Sequence, residues 1–200
     1  MAMRTHELHP ALVHYPLAIL PATALFEGLA ASAPRNRGLN RAGRTLWWAT
    51  AGSGLLTGLA GMAASQQIEL GSDHARDKMW LHGIGNLTLV LSAFGVAAWR
   101  TRHGASALTA GLGIGAALAS MYTAYLGGEL VYAHGAGVKT LGGITAEQPA
   151  LASRRAPRVL AVDAVRGLSW LFRRAGRALT GTQKLERAAA GAVAEEAAVH

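Results

Sequence analysis

The stretch MWLHGIGNLTLVLSAFGVAAW, residues 79–99, contains no Asp, Glu, Lys or Arg. About 20 predominantly apolar residues are enough for a helix to cross the hydrocarbon layer of a bilayer. A soluble core helix would show a polar stripe at the 3.6-residue period. Here Gly, Ser, Thr and Asn are instead scattered among Leu, Ile and Val all round, and Trp80 and Trp99 stand at the two ends. Tryptophan prefers the headgroup region, so both rings read as interfacial anchors.

Three more stretches of spanning length lie outward from this one, roughly Pro10–Ala33, Thr45–Ser65 and Ala105–Ala133. Trp47 and Trp48 open the second span as anchors, and Tyr125 and Tyr132 serve the last one. The connections Pro34–Arg44, Gln66–Lys78 and Arg100–Gly104 are short, which makes successive helices antiparallel neighbours. Gly54–Gly58 and Gly111–Gly115 read as small-xxx-small faces that admit close helix approach. The expected fold is an all-α integral membrane protein, an antiparallel four-helix transmembrane bundle. The head, Met1 to His9, lacks the charged region and cleavage site of a signal peptide, so the first span is expected to stay in the mature chain.

Composition agrees. In 200 residues, 51% are hydrophobic and 15% charged, with a mean hydropathy of +0.23. Soluble domains carry about 25% charge, so this chain has too few charges to cover a globular surface. Cysteine is absent, which excludes disulfides, Cys-ligated zinc, iron–sulfur ligation and thiol catalysis. The net charge of +8 and pI near 10.8 arise in membrane loops and one tail helix, a distribution that needs no nucleic acid. Arg35, Arg37, Arg41 and Arg44, with Arg100 and Arg102, occupy one face; Arg4, Arg76, Lys78 and Lys139 occupy the other. By the positive-inside rule the first set is cytoplasmic and both termini are exported, although the basic tail pulls the other way.

The chain divides into a four-span domain at 1–139, a linker at 140–157, an amphipathic helix at 158–182 and a flexible tail at 183–200. Ala161, Val165, Leu168, Phe172, Ala175 and Leu179 recur on one helical face, away from Arg166, Arg173 and Arg177. With Trp170, this pattern reads as a helix lying on an anionic bilayer surface or docked on a partner, not as a fifth span.

The chemistry rests with histidine. Antiparallel topology brings His9, His14, His82 and His134 to one membrane face, with His74 in a solvated loop there; His103 and His200 read as bland. Neutral imidazoles on facing helices can hold haem iron, copper or zinc. A b-type haem suits a Cys-free bundle, and Met62 and Met79 keep His/Met ligation or a copper site open. His14 and His82 are the expected ligand pair because they lie inside apolar spans, with His134 and His9 next and Tyr15, Glu129 and Tyr132 as orienting partners. For each histidine the alternative is an interfacial side chain with its nitrogen among headgroups. Glu129 and the buried Glu27 leave proton relay open as well. No catalytic motif marks a stand-alone enzyme.

Two stretches carry a family likeness. His9-Pro-Ala-Leu-Val-His14-Tyr-Pro16 and Gly127-Gly-Glu-Leu-Val-Tyr-Ala-His134-Gly-Ala-Gly-Val138 resemble the signature stretches of four-helix bacterial membrane proteins grouped as domain-of-unknown-function family 2231. The likeness covers about residues 6–140, and His82-Gly-Ile-Gly matches the histidine such proteins carry in the third helix. It implies a multi-pass inner-membrane domain of unassigned activity. Relatives joined to c-type cytochrome or Rieske-like domains imply an electron-transfer setting. Without CxxCH or any Cys, this chain would need such a partner as a separate cytochrome or another subunit of a membrane redox complex. The readings left open are a haem-bearing electron-transfer subunit, a His-rich copper or zinc protein, and a cofactor-free structural or assembly subunit.

Overall fold

A computed structural model describes residues 5–138 and 153–180. Every regular element among them is helical: α1 Thr5–Leu12, α2 His14–Ser32, α3 Arg37–Ser65, α4 Asp73–Arg100, α5 Ala107–Tyr132 and α6 Ala156–Leu179. Among the described residues three stretches are long and apolar enough to cross a membrane: Glu7–Ser32, Asp73–Arg100 and Ala107–Tyr132. The expected second span falls on α3, which has the length but carries Gly, Ser, Thr and Trp where the others carry Leu and Ile, and this lowers its hydropathy.

Local chemistry sets the helix ends. Asn36 Oδ1 accepts from Leu39 N at 3.0 Å to start α3, Ser72 Oγ accepts from Ala75 N at 3.2 Å to start α4, and Ser106 and Thr109 form a reciprocal capping box on α5. Helices α3 and α4 therefore begin at Arg37 and Asp73, not at Thr45 and Met79 as the apolar runs suggest. The apolar run marks where side chains leave water, whereas the cap marks where the helix begins. Val13 separates α1 from α2 without turning the chain out of helical geometry, and its N–H donates to His9 O at 3.0 Å. Pro16 has no N–H with which to reach Leu12 O, and Thr57 Oγ1 donates to that carbonyl instead, at 3.2 Å.

The long helices pack in a cycle: α2 contacts α3 and α5, and α4 contacts both of those as well, while α1 lies against α3. This cycle leaves α2 and α4 diagonally opposite. Its interior is small and polar. Trp47, Ala51, Ala93 and Ala97 form a buried cluster, and Thr23, Thr50, Thr57, Ser120 and Thr123 are buried, with the Thr23 and Thr50 hydroxyls 2.9 Å apart. Large apolar side chains point outward instead: Leu56 is 60% exposed, Leu91 62% and Leu118 63%. Water would penalise this inverted arrangement, and lipid favours it.

Three expectations are corrected here. Trp47 is buried in the core, and Trp48, about 100° round the helix, takes the exposed position. A Cβ on Gly113 would stand 3.1 Å from Ala24 Cα, whereas Gly111 and Gly115 face open space; two residues along a helix is about 200°. A Cβ on Gly54 would stand 3.0 Å from Val90 Cγ2, the close approach expected of it, but one on Gly58 would meet nothing within 4 Å.

Arg100 is not a loop cation. It ends α4, buried, with Nε 2.6 Å from Glu27 Oε1 of α2. Its guanidinium also donates to His103 O and, at 3.3 Å, to Asn40 Oδ1, which in turn accepts from Ala105 N at 3.1 Å. One ion pair thus ties α2, α3, α4 and the α4–α5 connection together. Gly43 makes room for it, because a Cβ there would fall 2.7 Å from Glu27 Oε2.

The described residues from Arg155 on, 155–180, belong to a separate unit. In α6 the six positions of the expected apolar face are all exposed, while Gly167 and Trp170 are buried. The Arg174 guanidinium lies 5.2 Å from the Trp170 ring centre. Turn geometry at 153–155 and the start of α6 at Ala156 take over the end of the expected linker. Residues 140–152 of that linker, the tail at 183–200 with His200, and Arg4 and Lys139 lie outside the described residues.

Candidate functional site

Two histidines meet at the end of the helix cycle away from Glu27. His9 comes from α1, which prolongs α2, and His82 comes from α4, so the pair spans the diagonal. The ring centres are 6.1 Å apart and the planes stand at 89°. His9 Nδ1 lies 3.0 Å from Thr57 O, and His82 Nδ1 lies 2.7 Å from Thr123 O. A carbonyl oxygen only accepts, so each Nδ1 carries the proton and each Nε2 keeps its lone pair. Asn86, one turn beyond His82, completes the arrangement: its Nδ2 donates to His82 O at 2.9 Å and approaches Nε2 at 3.2 Å, while its Oδ1 accepts from Thr123 Oγ1 at 2.9 Å.

Glycine makes space for both rings. A Cβ on Gly61 of α3 would lie 2.9 Å from His9 Nδ1, and one on Gly127 of α5 would lie 3.0 Å from His82 Cε1. At Gly61 that is closer than real Cβ atoms approach, and at Gly127 the imidazole would have to give way by a few tenths of an ångström. Below the pair, a cavity of about 70 Å³ runs between the helices, walled mainly by apolar groups such as Leu17, Leu20, Leu89 and Val90.

The other expected residues fall elsewhere. His14 is exposed on α2 and does not pair with His82. Five residues separate it from His9, about 140° on a helix, so one imidazole faces inward and the other outward. His134 pairs with His74 instead, ring centres 5.9 Å apart. Of the four histidines expected to converge, His9 and His82 meet, His134 meets His74 and His14 is exposed, and no group of three His, Asp or Glu side chains suited to a metal ion occurs among the described residues. Tyr15 and Tyr132 are exposed and Glu129 binds Lys78 at 3.1 Å, so backbone carbonyls of Thr57 and Thr123 orient the inner rings in place of these three. His103 stacks on Trp99 at 3.8 Å at the opposite end. Asn86 was accessible to sequence reasoning through its i+4 spacing from His82, whereas nothing in the sequence marks Thr57, Thr123, Gly61 or Gly127 as neighbours of these rings.

An all-helical chain with spanning helices, a polar interior and an apolar exterior is a membrane protein. It belongs to the family described as "Predicted membrane protein (DUF2231)", whose pattern matches residues 5–140. No curated protein and no solved structure matches the chain. The family match stops short of α6.

Proposed function

We propose that this chain is a multi-pass subunit of a bacterial inner-membrane electron-transfer system and that His9 and His82 hold a b-type haem near the exported face. In this reading α2 to α5 form an antiparallel transmembrane bundle with both termini exported. Its partners are other subunits of a redox complex or a separate cytochrome. The face of α6 bearing Val165, Leu168 and Phe172 lies on anionic lipid, held also by Arg–phosphate attraction.

The observation that carries the proposal is the diagonal imidazole pair. An imidazole–metal bond is about 2.0–2.1 Å, which puts two ring centres on one ion about 5–6 Å apart; the pair stands at 6.1 Å. Both Nδ1 atoms are tied to carbonyls, the arrangement that fixes a ligand's tautomer and raises its basicity. The cavity walls below the pair are mainly apolar. When bound, haem would supply one-electron transfer at the iron. The chain's own part is to fix both rings, donate to Nε2 of His82 from Asn86 until the ligand displaces it, and exclude water with the α2 and α4 leucines.

One dimension favours a second reading. A cavity of about 70 Å³ is well below the several hundred Å³ usual for cofactor sites, so haem requires α2 and α4 to stand further apart. A single copper ion on the same two imidazoles would not. Absorption spectra and metal content of the protein purified from haem-replete cells separate these readings. A low-spin b-type spectrum with stoichiometric iron supports haem. A colourless protein retaining copper supports the ion, and absence of both leaves a structural or assembly subunit.

A further inference from the structure

The outer histidine pair is built from other elements than the inner one. His74 lies in the first turn of α4, fixed by the Ser72 cap. His134 lies in the turn that closes α5, where Gly135 N donates to Val131 O at 3.0 Å and Ala136 N to Leu130 O at 2.9 Å. Gly135 and Gly137 adopt φ of 66° and 75°, a conformation that side chains disfavour, and this lets the chain fold back on itself at that point. Buried Leu70, Ala75, Leu130 and Ala136 form an apolar plug that joins the two turns.

Three properties of the pair point outward to a ligand. The rings stand 5.9 Å apart at 68°, within the spacing that two imidazoles on one metal ion require. His134 Nε2 is buried and has no hydrogen-bond partner, a state that leaves a polar atom unsatisfied unless something binds it. His74 is exposed, so the pair opens to solvent on one side.

We infer that His74 and His134 form an exchangeable site for a divalent first-row transition-metal ion such as Zn²⁺, completed by water. Neutral imidazole is a good ligand for such ions. Two protein ligands and open solvent positions give rapid exchange, which suits capture from solution and not permanent structural binding. The Glu129 carboxylate, at 3.1 Å from Lys78 and in the turn of α5 before His134, keeps the neighbourhood from being cationic. The site uses neither His9 nor His82 and does not depend on what that pair holds.

Zinc titration by calorimetry of the full chain in detergent, after chelator treatment, tests this. In a His9→Ala/His82→Ala background one Zn²⁺ should bind per chain, and His74→Ala or His134→Ala should each weaken binding by roughly tenfold or more, with His103→Ala silent. Zinc binding that is absent, or unchanged by His74→Ala, overturns the inference. Should the background variant not fold, diethylpyrocarbonate modification of the wild-type chain, read by mass spectrometry, decides the matter. Zn²⁺ should protect His74 and leave His103 reactive, and equal modification of His74 with and without Zn²⁺ overturns the site.

Discussion

Replacing Glu27 by alanine removes the carboxylate that faces a guanidinium only 2% exposed. Arg100 would keep its donations to His103 O and Asn40 Oδ1 but lose its counter-ion at 2.6 Å. Breaking one side of a buried pair costs about 3–5 kcal/mol, because the surviving charge is left uncompensated away from water. A chain of this size loses about 2–4 °C of melting temperature per kcal/mol, so the variant should melt about 6–20 °C lower. Changing both partners, Glu27→Leu with Arg100→Met, removes the two charges together and fills the space with apolar groups, and should recover most of the loss. Thermal unfolding of the purified protein in detergent, followed by circular dichroism, compares wild type with Glu27→Ala and closes the cycle with Glu27→Leu, Arg100→Met and their double variant. If Glu27→Ala shifts the midpoint by less than about 2 °C, or the two single effects simply add, the pair does not bind the helices in the way described.

Gly127→Ala should behave differently from an ordinary helix glycine, for which alanine is mildly stabilising; its Cβ would lie 3.0 Å from His82 Cε1, so it should abolish cofactor retention while leaving helix content intact. A normal cofactor complement in Gly127→Ala would show that His82 has room to spare. Single cysteines at Ser72 and Asn36 of this thiol-free chain should label oppositely with an impermeant reagent on intact cells, Ser72 reacting and Asn36 protected; the reverse pattern inverts the orientation. A peptide of residues 156–179 should gain helix on anionic vesicles and release as salt rises, since Arg–lipid attraction is screened over about 8–10 Å at ordinary ionic strength. No helix gain would instead point to docking on a protein.

The all-helical character and most of the extent of the long helices were legible in the sequence because hydropathy and spacing are local properties, whereas the break at Val13 that sets α1 apart from α2 was not. The sequence could not say which face of each helix turns inward. Trp47 and Trp48 look alike in the chain, yet one is 1% exposed and the other 43%. The choice between His9 and His14 is of the same kind: the apolar run favours His14, but the rotation of α1 and α2 against α3, held by Thr57 donating to Leu12 O, turns His9 inward. Arg100 was equally opaque, since a terminal arginine reads as solvated until Glu27 is found facing it from another helix. The presence of a helix at Ala156–Leu179 was legible in its period, which needs no tertiary information to display.

The central claim is that His9 and His82, not His14 and His82, form the ligand pair. Absorption spectra and metal content of His9→Ala, His14→Ala and His82→Ala proteins, purified in parallel with wild type, test it most directly. Wild type and His14→Ala should retain the same cofactor in equal amount, while His9→Ala and His82→Ala should lose it or keep a high-spin remnant. A cofactor retained by His9→Ala and lost from His14→Ala would contradict it.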